Sequence, residues 1–170
     1  MSKKLKYCSQ CGSKLEVSHE SSTSRPIPIY DCIVCTERYY NNPTVGVAVI
    51  YIKDNKILLG KRNSKYEYGK WCIPCGHLDA LEPVIEGAKR EFYEETSLQA
   101  NSLELYYART NPNNTVGIYY LATNVSSEPK ANDDLSEIGF YDLDNLPDLA
   151  FKSDIQVIKK LQKQFKTQSL

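Results

Sequence analysis

The sequence predicts an α+β fold: a mixed sheet packed by helices over residues 44–170, preceded by a small cysteine-rich module over residues 1–43. Three observations predict it. Four of the six cysteines fall in the first module, as two Cys-x-x-Cys pairs. From Thr44 the chain switches to β-branched runs separated by turn residues. Two amphipathic helical patterns interrupt those runs, giving the order β-β-α-β-β-β-α.

Composition narrows the function classes. The chain has 170 residues, with Lys+Arg 21 and Asp+Glu 21, so its formal net charge is zero. A balanced chain has no bulk attraction for nucleic acid or an anionic membrane. The longest apolar stretch, around Val45–Ile52, is too short to cross a bilayer. The opening MSKKLKYCSQ lacks the apolar core of a secretory signal. A cytoplasmic location is therefore expected, and there cysteines seldom form a disulfide framework.

The elements follow in order. Ser18–Ser24 (SHESSTS) reads as a polar loop tip, and Asn41-Asn42-Pro43 as the turn that closes the first module. Thr44–Lys53 reads as a strand, Asp54-Asn55 as a turn and Lys56–Arg62 as the return strand. Pro83 sits in the first turn of a helix that runs to about Thr96, with Ile85, Ala88 and Phe92 as its apolar stripe. Leu103–Thr110 and Val116–Thr123 are strands joined by the NPNN turn, and Ile138–Leu143 is a short strand. Ser153–Phe165 is a helix capped by Ser153 or Asp154, its stripe formed by Ile155, Ile158, Leu161 and Phe165.

The cysteine spacing is informative. Cys8/Cys11 and Cys32/Cys35 are separated by 20 residues. Four thiolates so spaced suit a tetrahedral Zn²⁺ in a zinc ribbon, and with all four ligands supplied by protein the ion is structural. The ribbon's loops lack the basic clusters of a nucleic-acid-binding module. A third pair, Cys72/Cys75, looks like a redox motif, but no helix begins at its first cysteine. It reads as two small apolar residues in a tight turn.

The segment Gly76–Leu98 (GHLDALEPVIEGAKREFYEETSL) carries the chemistry. At helical periodicity Glu95 lies about 40° and Glu94 about −60° from Glu91, so three carboxylates share one face. Like charges at that spacing repel. A hard divalent cation, Mg²⁺ or Mn²⁺, would relieve the repulsion, and Arg90 stands beside the cluster to pair with Glu82 or a phosphate.

The spacing Gly76, Glu82, Arg90, Glu91, Phe92, Glu94, Glu95 and Leu98 resembles the Nudix box, Gly-x5-Glu-x7-Arg-Glu-U-x-Glu-Glu-x-Gly-U, where U is bulky and apolar. Ser97 stands where the family has Gly, a position that ends the helix in a left-handed conformation. Cys75, Asp79 and Leu81 also replace residues common in the family, the last a Gly in the catalytic loop. Trp71-x-x-Pro74, the strand pair at 44–62 and Leu143–Phe151 are similar to a Nudix domain. The cysteine module followed by Tyr-x-Asn-Pro (Tyr40–Pro43) resembles the zinc-ribbon branch of the superfamily.

The resemblance implies an α/β/α sandwich that hydrolyses a nucleoside diphosphate linked to another moiety. Glu91, Glu94 and Glu95, with the Cys75 backbone carbonyl, would hold Mg²⁺ or Mn²⁺. Glu94 or Glu95 would orient or deprotonate the attacking water. Glu82 would accept hydrogen bonds from Arg90 and fix the loop. Glu137, in a later acidic loop, is a secondary candidate for the base; as a bland alternative, that loop is simply solvated.

The implied substrate is a nucleotide-derived small molecule such as ADP-ribose, FAD or a nucleotide sugar. A dedicated NADH pyrophosphatase is disfavoured, because SLELYYARTNPNN replaces the Ser-Gln-Pro-Trp-Pro-Phe-Pro signature of that group. The alternatives are a non-catalytic nucleotide-binding regulator and a nucleoside triphosphate pyrophosphohydrolase. All three acids are present and no basic helix is evident, which favours the enzyme over the regulator. Many members of the family dimerise, so a homodimer is compatible with the reading; no membrane partner is expected.

Overall fold

A computed structural model describes residues 5–19 and 28–168. The polar loop expected at Ser18–Ser24 lies, beyond His19, outside the described residues. Among those described, no helix is long and apolar enough to cross a membrane. The chain forms two compact units, one comprising the segment up to Pro43 with the turn Pro112–Asn114, the other Thr44–Asn111 with the segment from Thr115 onward.

In the first unit, strands β1 (Glu16–His19), β2 (Pro28–Asp31) and β3 (Arg38–Tyr40) form an antiparallel sheet in sequence order. Sequence reading gave these short strands no place, because three or four residues carry no resolvable periodicity. Cys8, Leu15, Tyr30 and Cys32 make a small core with Cys35 and Tyr39 packed against it. Two turns of the same design present the cysteines. The Cys8 amide donates to the Ser13 carbonyl (2.8 Å), and the Cys32 amide to the Glu37 carbonyl (2.8 Å). After the second cysteine of each pair the backbone turns left-handed, at Gly12 (φ 73°) and Thr36 (φ 61°).

The second unit is built on β4 (Thr44–Lys53), β5 (Lys56–Arg62), β6 (Trp71–Cys72), β7 (Cys75–His77), β8 (Gln99–Asn111), β9 (Thr115–Ser126) and β10 (Leu135–Asp142), with helices α1 (Val84–Thr96) and α2 (Lys152–Gln168). The sheet runs β10-β5-β4-β9-β8, and β4 lies parallel to β9 while its other pairings are antiparallel. β4 is buried on both faces, which is why TVGVAVIYIK shows a continuous apolar run. Val47 and Val49 meet Ala88, Phe92 and Leu98 on the α1 side. Ala48 and Ile50 meet Val157, Ile158 and Leu161 on the α2 side. The result is a three-layer α/β/α sandwich around a mixed sheet.

β4 and β5 pair only at their turn, through Ile52↔Ile57 and Lys53↔Lys56, and then part. The segment 71–77 enters the fork: β6 pairs with β5 and β7 with β4. Pro74 sits at the crossing and needs no donor partner, while its carbonyl accepts from Val49 (3.0 Å). The flanking amides are held from opposite layers. The Ile73 amide donates to Asp154 Oδ2 (3.0 Å) in α2, and the Cys75 amide to Glu95 Oε2 (2.7 Å) in α1. Cys72 and Cys75 thus lie in two short strands on either side of the crossing, and not in one tight turn as expected.

Three details of the helices depart from the sequence reading. α2 begins at Lys152, and Asp154 is no cap: its carboxylate turns inward to Ile73 and the Tyr119 hydroxyl (3.1 Å). Ile155 is 38% exposed and Val157 fully buried, so the buried arc is rotated from the expected stripe. In α1, Ile85 is 44% exposed because it lies at the margin of an arc centred on Ala88, Phe92 and Glu95. α1 ends at Ser97 in the left-handed region (φ 60°), where its amide donates to the Tyr93 carbonyl (2.7 Å). For a non-glycine residue that conformation costs about 1 kcal/mol.

Burial pushes Asp154 from 3.8 up to about 6, against the opposing hydrogen bonds from Ile73 and Tyr119. Folding therefore favours its protonated form. Its contribution to stability is full below its ordinary value and is lost as pH rises through about 6. The melting temperature of the wild type minus that of Asp154→Asn should fall from about pH 4 to about pH 6 and then stay level. A difference that grows over that interval would contradict the burial argument.

Candidate active site

The site lies where β7 meets the exposed side of α1, and Arg90 organises it. Its Nε donates to Glu82 Oε1 (2.8 Å) and its Nη2 to Glu82 Oε2 (2.9 Å), a two-pronged pair. Nη1 donates to Glu91 Oε1 and to Glu94 Oε2, each at 2.9 Å. Nη2 also reaches the His77 carbonyl (3.2 Å). Glu82 Oε2 accepts the Asp79 amide (3.1 Å), so the loop between β7 and α1 is tied to the helix through one guanidinium. Arg90 holds the Glu82 carboxyl down to about 2.

Glu91, Glu94 and Glu95 share the face that helical periodicity predicts, in graded environments. Glu94 is exposed. Glu91 is half-buried, and its carboxyl is raised by burial against the pull of Arg90, with smaller contributions from the Glu94 and Asp133 charges. Glu95 is 2% exposed. Burial pushes its carboxyl well above the ordinary range, and the neighbouring Cys72 adds to the rise while the Cys75 amide opposes it. Cys75 therefore touches this cluster through its amide.

Two glycines make the packing feasible. A Cβ on Gly76 would stand 2.0 Å from Glu91 Oε2. A Cβ on Gly87 would stand 2.5 Å from Leu78 Cδ1 and 2.7 Å from Glu82 Oε2. A glycine inside a helix costs about 1 kcal/mol, so Gly87 is itself a sequence signal of close approach.

Glu137 lies on β10, exposed, with Lys61 Nζ 2.8 Å from its Oε1. Arg62, at the end of β5, is turned inward: Nε donates to the Tyr66 carbonyl (3.1 Å), Nη2 to Ser64 Oγ (2.5 Å), and the guanidinium lies 5.0 Å from the Phe151 ring centroid.

In the cysteine unit, Cys8, Cys11, Cys32 and Cys35 present sulfurs all within 4.8 Å of one another. The Tyr39 hydroxyl lies 3.1 Å from Cys8 Sγ and 3.1 Å from Ser9 Oγ. That contact is the largest influence holding the Cys8 thiol down to about 6. Four converging soft donors fit Zn²⁺. Nothing in the cysteine spacing marks Tyr39 as a partner of a thiolate.

A sequence profile of the NUDIX domain matches residues 41–161. The chain belongs to the Nudix family. It is a Nudix hydrolase, a class whose fold implies a divalent metal. It is 37% identical over 127 residues to an ADP-ribose pyrophosphatase of Methanocaldococcus jannaschii, covering 72% of this chain and 75% of that protein. It is 25% identical over 149 residues to the NAD-capped RNA hydrolase NudC of Edwardsiella ictaluri, covering 85% of this chain. The chain spans about half the length of that relative (54%). Among solved structures, a NUDIX hydrolase from Nitrosomonas europaea superposes with a TM-score of 0.78 at 26% identity, over 94% of this chain and 92% of that one.

Two substitutions test this geometry. Gly76→Ala should displace the Glu91 carboxylate and lower hydrolysis by about 100-fold, with the melting temperature little changed; unchanged turnover would contradict the close approach. Cys8→Ser should abolish bound zinc in the purified protein, as measured by elemental analysis; one full equivalent of zinc retained would rule out a four-thiolate site.

Proposed function

We propose that this Nudix hydrolase cleaves the diphosphate linkage of ADP-ribose or a similar nucleoside diphosphate derivative. The observation that carries the reading is the carboxylate face of Glu91, Glu94 and Glu95 organised by Arg90. The 37% identity to an ADP-ribose pyrophosphatase supports the substrate class. In this reading residues 1–43 are a zinc ribbon and residues 44–170 the catalytic domain.

The donor set fits Mg²⁺ or Mn²⁺: hard oxygens in one place, with a glycine cradle beside them that a Cβ would fill. Glu91, Glu94 and Glu95, with the Cys75 carbonyl as a further oxygen, would hold the ion, which would supply charge neutralisation for a diphosphate and lower the pKa of water. Arg90 and Glu82 are positioning residues. They keep the loop and the acids in register, so that binding does not have to order them. Glu94 or Glu95 would orient or deprotonate the attacking water. Glu137, the secondary candidate for the base, is engaged by Lys61. Tyr66 and Tyr68 are exposed, and Tyr66 is backed by Phe151 at an interplanar angle of 18°, leaving a ring face for a base.

The test is hydrolysis of ADP-ribose, FAD, nucleotide sugars and nucleoside triphosphates with Mg²⁺ or Mn²⁺, products identified by mass. AMP plus ribose 5-phosphate from ADP-ribose, at the highest kcat/KM of the panel, is the expected result. A nucleoside monophosphate plus pyrophosphate, from a triphosphate alone, would replace the substrate class. Glu94→Gln and Glu95→Gln should each lower kcat by about 100-fold or more while the protein stays folded; near-normal rates in both would refute the assigned roles.

A further inference from the structure

We propose that the Tyr39 hydroxyl tunes the zinc site of the cysteine unit: it donates a hydrogen bond to the Cys8 thiolate, and Ser9 donates in turn to Tyr39. The inference rests on the reading of the four cysteines as a zinc site.

A cysteine that holds zinc does so as a thiolate. A thiolate has no proton to give, so Cys8 as a ligand can only accept. Its sulfur lies 3.1 Å from the Tyr39 hydroxyl, and the direction of that bond is thereby fixed. The Tyr39 oxygen, 3.1 Å from Ser9 Oγ, accepts from the serine. The chain from Ser9 through Tyr39 to Cys8 runs one way, and each link polarises the next. The Gln10 amide adds a backbone donor to the same sulfur (3.4 Å). Cys8 is 3% exposed, which leaves little room for water in place of the hydroxyl.

The sheet puts the tyrosine there. Tyr39 lies on β3, where Tyr39↔Tyr30 and Arg38↔Asp31 pair with β2. Arg38 Nε donates to Asp31 Oδ1 (2.7 Å), and Ser18 Oγ on β1 donates to Asp31 Oδ2 (2.7 Å), so one carboxylate ties all three strands. The Tyr39 ring packs against the small core that contains Cys8 and Tyr30. The hydroxyl is therefore held by the fold and does not have to be ordered by the ion.

The two cysteine turns share a backbone design but differ in this donor. Cys32 has in the second turn the place that Cys8 has in the first, and among the described residues no side-chain hydroxyl bonds to it. One sulfur of the four is thus distinguished. A hydrogen bond draws charge from a thiolate and makes it a weaker electron donor to a metal. Tyr39 is a positioning residue that sets this property for Cys8, and Ser9 holds Tyr39.

The full chain with Co²⁺ in place of zinc tests the proposal, because thiolates, unlike carboxylates, give cobalt intense charge-transfer bands in the near ultraviolet. Tyr39→Phe keeps the ring and removes the hydroxyl. It should move that band to longer wavelength and weaken Co²⁺ binding about tenfold in competition with a chelator. Ser9→Ala should move the band the same way by less. Tyr39→Leu, which also loses the packing of the ring, should lower the melting temperature further and leave the band where Tyr39→Phe puts it. If Tyr39→Phe keeps the wild-type band, the tuning role is overturned while the zinc reading stands. If the wild type shows no sulfur-to-cobalt band, the zinc reading fails and the tuning role falls with it.

Discussion

The guanidinium of Arg90 is the constraint on which the rest of the site depends. Three acids on one helical face repel, and a loop that must approach a helix closely needs something to hold it there. Arg90 meets both needs with one group. Its pair with Glu82 fixes the loop, and its contacts with Glu91 and Glu94 offset part of their repulsion. The glycines follow from this. Gly76 lets β7 lie against Glu91, and Gly87 lets Leu78 and Glu82 lie against the helix. A lysine could replace the charge of Arg90 but not the planar fork that engages Glu82 at two oxygens.

The sheet supplies the platform. Because β4 and β5 diverge after their turn, the segment 71–77 can enter the sheet and carry Gly76 to α1. Its two free amides around Pro74 are satisfied by carboxylates from the helices on opposite faces, Asp154 and Glu95. A buried acid on each side is costly unless it accepts hydrogen bonds, and each of these does. The elevated proton affinity of Glu95 is therefore a consequence of the fold.

Much of this was legible in the sequence, for physical reasons. The strands at 44–53 and 56–62 have the boundaries that β-branched runs and an Asp-Asn turn predict. The carboxylate face of α1 follows from periodicity alone, and the cysteine cluster from spacing. What escaped depends on tertiary contact. Periodicity places Glu95 beside Glu91 but does not say that it is buried. Asp154 has the sequence position of a cap and the structural role of a buried acceptor, because an amide in the sheet needs a partner. Tyr39, Gly87 and Asn132 act across gaps that no local pattern spans. The departure at Ser97 was visible as a substitution, but the hydrogen bond it accepts from Asn132 was not.

The proposed function requires that the α1 carboxylates work as one unit that holds divalent metal. A crystal structure of the full chain grown with Mn²⁺, with anomalous diffraction recorded at the manganese edge, tests it most directly. The expected result is one or more anomalous peaks bounded by Glu91, Glu94 and Glu95, with Arg90 still paired to Glu82. Manganese bound elsewhere in the molecule, with that face empty and Arg90 still spanning Glu91 and Glu94, would contradict it.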